Sequence, residues 1–329
     1  MSLDSSSQFG VLPMTQAINR LPVTPTIIRS LNIFRPTPLN TTYVRIENQT
    51  GTLRLVEAVP RNSPGAPPAK ETRSIANIDM LHLPRTDVVM ADDVQNAREF
   101  GGNKATTVAS VVNNKLALMK KDIEMTREYL MLGALQGKIV NADGTSVLLN
   151  IYQRFGLTRK SYVWDLTNAA TKVGQKIDAT ITAMSPNLKG EVMSNWCCLC
   201  SPSFLQNLIY HDDVVEIYKR YEQGKLYREG ETWAEFEFKR IKFIQYNSDF
   251  GNKVNIPDGE AILFPLGTSS TFAEYFAPAN YTETVNTMAL PYYAKRVAMK
   301  FDKGWDLEAQ SNPLPLVLRP ELVATIKVA

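Results

Sequence analysis

Hydrophobic and polar residues alternate early in the chain and predict a long β-hairpin. The alternation starts after Thr41, in the runs Tyr43-Val-Arg-Ile-Glu47 and Thr52-Leu-Arg-Leu-Val-Glu57. A tip rich in proline and glycine follows at residues 60–70, and a second strand-like run extends from Thr72 to Leu83. This order is typical of two antiparallel strands joined by an irregular loop. Because an isolated two-stranded ribbon is only marginally stable in water, the hairpin needs a partner surface.

A helical period follows and predicts one long helix from Asn103 to Gln136. Its apolar positions are Val108, Val111, Val112, Leu116, Met119, Ile123, Leu130 and Ala134. About 34 residues in a helix span roughly 50 Å, which is long for one lobe. Lys120 and Lys121 fall on the polar side, which predicts a solvated face. A small hairpin from Lys138 to Leu149 should then turn at Asp143-Gly144.

The rest of the chain predicts a lobe of mixed helices and strands. Helices are expected at Asp165–Ala183 and from Ser201-Pro202 to about Tyr221, and strands at Asn195–Leu199, Glu235–Tyr246 and Ala261–Phe264. Apolar residues continue almost to the C-terminus, at Leu322, Val323, Ile326 and Val328. Chain ends fray unless packing holds them, so the last residues should return as a strand into a core begun much earlier.

Residues 1–40 form a segment divided by prolines 13, 22, 25, 36 and 38. Its apolar residues are too many for a disordered tail and too interrupted to form a core alone. We therefore expect an arm that lies on another surface, belonging either to its own subunit or to a neighbour.

Composition and charge narrow the class of protein. The 329 residues suffice for two lobes with a large core, and 44% hydrophobic and 21% charged residues are ordinary for a folded soluble protein. A net charge of +3 argues against a dedicated nucleic-acid binder, although it permits weak contact with a polyanion. Neither a secretory signal at Met1–Gly10 nor a transmembrane run is evident. Three cysteines within four positions do not suit a secreted disulfide framework and suit a reducing cytoplasm.

Two clusters invite a chemical interpretation. Cys197, Cys198 and Cys200 could belong to a thiolate metal site, but the second ligand pair of a structural zinc site is missing, which favours small hydrophobic residues on a buried strand. His211-Asp212-Asp213 could do acid–base chemistry, but no nucleophile or metal motif accompanies it, which favours a polar helix face. The sequence therefore predicts a protein that is not an enzyme and uses no metal or cofactor.

Charged residues along the predicted hairpin are candidates for contacts between subunits. They are Arg45, Arg54, Glu57, Arg61, Lys70 and Arg73. The alternative is a solvated ribbon whose edge is protected by charge against aggregation. A ribbon that is only solvated should be deleted at little cost, whereas one that joins subunits should not.

Several stretches of the chain resemble a known family. They are Ala134-Leu-Gln-Gly-Lys138 with Asp143-Gly144, Trp196 to Phe204, Tyr246-Asn with Ile256 to Thr268, and Gln310 to Leu314 with Arg319 to Val323. In that order they look like a helix end with its hairpin, a strand–proline–helix step, a strand–loop–strand unit and a pair of closing strands. With these matches, nearly the whole chain resembles the major capsid protein E family of phage lambda and its relatives.

The resemblance implies an α+β fold of the Hong Kong 97 type, found in tailed-phage shells. Residues 1–40 would be its N-terminal arm and 41–84 its extended β-hairpin loop. Residues 85–165 would form a peripheral domain with the spine helix at 103–137, residues 166–292 an axial domain, and residues 293–329 a return to the peripheral domain.

The implied function is that of a major capsid protein, which self-assembles into the icosahedral head enclosing the DNA of a tailed phage. Its place would be the virion capsid, and the host cytoplasm during assembly. Its partners would be itself in hexamers and pentamers, a separate scaffold, a portal and a decoration protein, with nonspecific contact to packaged double-stranded DNA and none to a membrane. An encapsulin-like compartment shell is the alternative within this fold. A small metalloenzyme using Cys197, Cys198 and Cys200 is a distant alternative.

Overall fold

The computed structural model describes residues 10–49, 73–95, 107–221, 235–247, 250 and 255–329. The helices are α1 Val11–Arg20, α2 Ile27–Ser30, α3 Ala91–Val94, α4 Val108–Gln136, α5 Ile151–Phe155, α6 Val173–Met184, α7 Pro202–Ile209 and α8 Asp212–Tyr221. The strands are β1 Arg35–Pro38, β2 Tyr43–Gln49, β3 Arg73–Asp79, β4 Leu83–Met90, β5 Lys138–Val140, β6 Val147–Asn150, β7 Lys160–Val163, β8 Asn195–Cys200, β9 Glu235–Phe238, β10 Ile241–Gln245, β11 Glu260–Leu266, β12 Phe272–Phe276, β13 Tyr293–Ala298, β14 Gly304–Ser311, β15 Pro313–Val317 and β16 Ala324–Lys327. None of the described helices is long and apolar enough to cross a membrane.

A mixed six-stranded sheet in the order β7-β16-β11-β8-β10-β9 separates two hydrophobic cores. Strand β8 lies near its middle, parallel to β10 and antiparallel to β11. Because successive side chains of a strand point to opposite faces, Cys197 and Leu199 enter one core while Cys198 and Cys200 enter the other. Helices α6, α7 and α8 cover the second core, and the C-terminal half of α4 covers the first.

The long helix α4 has 29 residues and contributes side chains to two of the three apolar clusters. It begins at Thr107, whose Oγ1 accepts a hydrogen bond from Ser110 N at 3.2 Å, and the predicted residues before 107 lie outside the described part. It ends at Gly137, where φ is 83° and an added Cβ would lie 2.1 Å from the Tyr152 ring. Its first half packs against α1 and the sheet β13-β14-β4 in a third apolar cluster.

The described part of the arm lies on its own subunit. Met14 and Ile18 of α1 pack in the cluster around the first half of α4, and Ile28 of α2 packs in the core beside its second half. Strand β1 pairs in parallel with β12 at the edge of the sheet β1-β12-β15. An edge strand tolerates the missing N–H groups of Pro36 and Pro38. Of the two surfaces that the sequence allows, the subunit's own and a neighbour's, the described part of the arm therefore lies on its own subunit.

Three predicted elements are divided or shortened by local hydrogen bonds or by local backbone turns. The helix expected from Asp165 begins only at Val173, since Asp165 has φ 53° and the Asn168 side chain accepts a hydrogen bond from Ala170 N at 3.1 Å. The helix expected to Tyr221 is broken between α7 and α8. The strand expected over 235–246 is the hairpin β9–β10, which turns where Lys239 and Arg240 adopt φ of 48° and 61°.

The C-terminal strand β16 returns into a core, as expected from its apolar residues. It pairs antiparallel with β11 and parallel with β7, and Ile326 is fully buried. Its sheet, however, is the one that contains most strands of the predicted axial segment 166–292, while β12 from that segment pairs with β1 and β15. The predicted boundaries at 166 and 293 therefore cut across two sheets, because strand partners distant in sequence cannot be recognised from continuous segments.

Candidate functional site

The cysteine cluster is a structural part of the central sheet. All three cysteines are buried on β8 with their sulfurs outside any disulfide bond, and Cys197 faces away from Cys198 and Cys200. Burial raises the pKa of the Cys198 thiol well above its usual value, so this thiol stays protonated. Across the described ranges, no group of three or more His, Cys, Asp or Glu side chains could hold a metal ion. The interpretation of these cysteines as small hydrophobic residues on a buried strand is confirmed.

His211 is not on a polar helix face, which corrects the prediction. It is 5% exposed and lies between α7 and α8, where its Nδ1 accepts a hydrogen bond from Asp213 N at 3.2 Å. Its Nε2 lies 3.1 Å from Asn168 O, so the tautomer with the proton on Nε2 satisfies both contacts. Asp213 Oδ2 in turn accepts from Gly174 N at 3.2 Å. The His-Asp-Asp run therefore caps α8 and ties it to α6.

A row of charged side chains is buried on the face of α4 that meets the arm. Its members are Lys120, Glu124, Arg127 and Glu128, each no more than 4% exposed. Their spacing places them on one face of the helix. The prediction that Lys120 is solvated is therefore wrong, whereas its neighbour Lys121 is exposed. Buried charges are tolerated only when they are paired or hydrogen-bonded, so the partners of this row define what α4 holds in place.

Lys120 and Glu124 bind main-chain groups of the arm. Lys120 Nζ donates to Ile18 O at 3.0 Å and to Leu21 O at 2.7 Å, just beyond the end of α1. Glu124 Oε2 accepts from Thr24 N at 2.7 Å. Burial lowers the pKa of Lys120. Because the backbone between α1 and α2 makes no regular ladder, these side chains satisfy groups that would otherwise be unpaired.

Glu128 caps the second arm helix from outside the arm. Its carboxylate accepts hydrogen bonds from Ile28 N at 2.8 Å, from Arg29 N at 3.3 Å and from Thr26 Oγ1 at 2.7 Å. These amides belong to the first turn of α2, where a negative charge is favourable. Burial raises the pKa of Glu128, and the hydrogen bonds from Thr26 and Ile28 oppose that shift. The arm is therefore fixed to α4 by charges as well as by apolar packing.

Arg127 extends this network into the rest of the subunit. It forms a two-pronged ion pair with Glu274 of β12, with Nε–Oε1 at 2.8 Å and Nη2–Oε2 at 2.6 Å. It also donates to the Tyr292 hydroxyl, which itself donates to Glu124 Oε1 at 3.0 Å. Burial acts to lower the pKa of Arg127, but the ion pair with Glu274 outweighs this effect. The pKa is therefore raised overall, and the guanidinium stays charged. We call Lys120, Glu124, Arg127, Glu128, Glu274 and Tyr292 the arm-anchoring network.

The base of the extended hairpin is built into the same core. Strands β2 and β3 pair antiparallel with Val44 opposite Ile78, and both of these side chains are buried beside α4. Arg154 of α5 donates to Asn77 O at 2.5 Å and supports this base. Tyr43 and Arg45 are exposed, which confirms the predicted alternation over the residues whose side chains are described.

The predicted contact residues fall partly within the described structure. Arg45 lies opposite Asn77, and Arg73 ends the ladder opposite Gln49. Arg54, Glu57, Arg61 and Lys70 lie outside the described residues. A role in subunit contacts for all six stays a prediction.

Glu191 joins three segments of the chain and gives a testable acid dependence. It accepts hydrogen bonds from Ser269 N at 2.6 Å and Ser270 N at 2.7 Å, and pairs with Arg319 Nη1 at 2.7 Å. Burial acts to raise the pKa of Glu191, but the hydrogen bonds from Ser270 and Ser269 outweigh it and lower the pKa below 4.5.

We expect Glu191→Gln to remove an acid-dependent part of the stability. The lowered pKa means that the carboxylate stabilises the fold above pH 4.5, and that this contribution is lost as pH falls through the folded-state pKa. Melting temperatures measured from pH 3 to 7 should therefore fall less steeply with acid in the variant than in the wild type. Parallel curves for the two proteins would contradict this role.

A match to a known protein family shows to which class of protein this chain belongs. Residues 10–328 match the family model described as phage major capsid protein E. The chain belongs to this family.

Two major capsid proteins of phages are similar in sequence to this chain over nearly its full length. It is 26% identical over 343 residues to the major capsid protein of Pseudomonas phage KPP10, covering 98% of each chain. It is also 26% identical over 360 residues to the major capsid protein of Salmonella phage Felix O1 (isolate Felix O1-VT1), covering 98% of this chain and 96% of that one. Its function is that of a major capsid protein of tailed phages, and its place is the virion capsid.

Solved structures show the same fold. A putative capsid protein of an E. coli CFT073 prophage matches with a TM-score of 0.57 at 11% identity, covering 95% of this chain and 97% of that one. The mature capsid of bacteriophage PhiM1 matches with a TM-score of 0.56 at 10% identity, covering 93% and 88%. The predicted α+β fold of the Hong Kong 97 type is confirmed. The family and its curated relatives are phage shells, so they do not support the encapsulin or metalloenzyme alternatives.

Proposed function

We propose that this capsid protein forms the hexamers and pentamers of an icosahedral head, and that its extended hairpin contacts neighbouring subunits. The observation that carries the proposal is the hairpin base, where Val44 and Ile78 are fixed in the core while Tyr43 and Arg45 face outward. A ribbon so anchored keeps a defined direction, and a two-stranded ribbon without a partner surface is only marginally stable. The contact residues proposed are Arg45, Arg54, Glu57, Arg61, Lys70 and Arg73.

In this proposal the hairpin contacts neighbouring subunits, whereas the arm stabilises its own subunit. The arm-anchoring network and the buried Ile18 and Ile28 support an arm that holds the subunit together rather than reaching across. We assign residues 1–40 to the arm, 41–84 to the extended loop, 85–165 to the peripheral domain and 166–292 to the axial domain. In this scheme residues 293–329 return to the peripheral domain except for β16, which pairs with β11.

The further partners proposed are a separate scaffold, a portal, a decoration protein and packaged double-stranded DNA. A net charge of +3 supports weak contact with DNA along the inner face rather than tight binding. Assembly would take place in the host cytoplasm.

We expect deletion of residues 61–70 to leave a folded subunit that assembles poorly. The three cores that the structure describes are built from residues before and after the tip, whereas many modest contacts repeated around a shell add up through multivalency. The test is co-expression with the scaffold, followed by sedimentation and negative-stain electron microscopy. Normal heads from the deletion would show that the tip is passive.

Two controls separate the reach of the hairpin from its chemistry. A glycine–serine replacement of residues 61–70 keeps the length, so a loss of assembly here indicates side-chain contacts. Lys121→Gln removes an exposed charge on α4, outside the hairpin, and should assemble like the wild type.

A further inference from the structure

The turn between β13 and β14 presents an aromatic side chain to solvent. Residues Lys300 to Lys303 form this turn, and Phe301 is 89% exposed. Val297, on the strand that leads into the turn, is 53% exposed. Lys300, Asp302 and Lys303 are exposed as well, so Phe301 is an apolar group in a charged setting.

The backbone at Phe301 is one that phenylalanine seldom adopts. Its φ is 64° and its ψ is 20°, and Asp302 follows with φ 52°. Glycine, asparagine and aspartate tolerate this left-handed region, but a bulky residue there is strained. An exposed aromatic residue at a strained position does not stabilise the folded subunit, so the stability of the subunit does not explain it. Such outliers are concentrated at functional positions.

The surrounding hydrogen bonds fix the shape of the turn. Met299 N donates to Gly304 O at 2.9 Å, Asp302 N to Met299 O at 3.2 Å, and Ala91 N to Lys303 O at 3.1 Å. Gly304 packs so closely on β4 that an added Cβ would lie 2.4 Å from Val89 O. The backbone position of Phe301 is therefore set before any partner arrives, which lowers the entropy cost of a contact.

The size of the feature indicates which partner it fits. One aromatic side chain buries about 150–250 Å², whereas a stable pairwise interface needs roughly 1,200 Å² or more. A contact this small is useful when it is repeated around a closed assembly of identical subunits. A second copy of this chain is therefore a better partner than a separate soluble protein.

We propose that Phe301 of one subunit packs against apolar side chains of a second copy in the assembled shell. This proposal rests on the proposed function. The exposed Lys300 and Lys303 flank the ring and can form ion pairs at the rim of the contact.

The test compares Phe301→Asn and Phe301→Tyr with the wild type. Asparagine removes the ring and tolerates the left-handed backbone, so the monomer should melt at the same temperature or up to about 2 °C higher. The subunit concentration needed for half-maximal assembly should rise about tenfold or more, because each subunit loses a buried aromatic contact. Phe301→Tyr keeps the ring and should assemble like the wild type.

A photo-crosslinking amino acid at position 301 identifies the partner directly. Bands of two joined copies of this chain should form in shells and be absent from dilute monomer. Assembly of Phe301→Asn at wild-type concentration, crosslinks within one chain, or crosslinks to another protein would overturn the contact while leaving the proposed function intact. Failure of the wild type to form shells in the same experiment would overturn both.

Discussion

Replacing Arg127 with leucine is expected to lower the free energy of unfolding of the subunit by about 3–5 kcal/mol. Both side chains of the Arg127–Glu274 pair are at most 5% exposed, so the substitution leaves a carboxylate buried without its counter-charge. It also removes a donor to the Tyr292 hydroxyl, which links the pair to Glu124. Urea unfolding of the monomer, followed by circular dichroism, measures the loss.

The double variant Arg127→Met/Glu274→Met is the matched control for this prediction. Removing both charges leaves neither unpaired, so the double variant should be markedly more stable than Arg127→Leu. Arg127→Lys should fall between wild type and leucine, because lysine keeps the charge but cannot make the two-pronged contact. A loss below 1 kcal/mol for Arg127→Leu would contradict the role assigned to the pair.

Glu128→Leu is expected to loosen the arm and to cost about 2–4 kcal/mol. The substitution leaves Ile28 N, Arg29 N and Thr26 Oγ1 without their acceptor, and each unsatisfied buried group costs about 1–3 kcal/mol, with some relief as water reaches the arm. Hydrogen exchange should quicken at residues 10–30 more than in the six-stranded sheet. Limited proteolysis should cleave the same segment first.

Asp122→Asn is the matched control on the same helix. Asp122 is half exposed and pairs with Arg85 on the surface, and such pairs contribute about 0–1 kcal/mol. This variant should leave the exchange of the arm unchanged. Equal exchange patterns in Glu128→Leu and Asp122→Asn would show that Glu128 does not hold the arm.

The spacing of apolar residues is enough to predict elements that pack through apolar side chains. The helix α4, the buried strand β8 and the hairpin base at Val44 all follow from spacing alone. The returning strand β16 follows from the apolar residues near the C-terminus.

The arm-anchoring network could not be predicted in the same way. Helical periodicity assigns a polar residue to the solvated side of an amphipathic helix, whereas Lys120 is 2% exposed. The groups that satisfy it, Ile18 O and Leu21 O, lie about a hundred residues away, and Glu274 lies 147 residues from Arg127. The sequence does contain one signal of this network. The charges at 120, 124, 127 and 128 recur at three- and four-residue spacing, which places them together on one face of the helix.

Local hydrogen bonds explain the errors in element boundaries. The break before α8 depends on the ring of His211 accepting from Asp213 N, which periodicity cannot register. The domain boundaries depend on strand order, in which β16 lies between β7 and β11 although all three are distant in sequence.

Electron cryomicroscopy of particles from this chain, co-produced with the proposed scaffold, tests the central claim most directly. The expected result is a closed icosahedral shell of hexamers and pentamers, with the hairpin that starts at β2 lying on a neighbouring subunit and residues 10–38 lying on their own. A protein that stays monomeric in the presence of the proposed scaffold, and forms neither rings nor shells, would contradict the account.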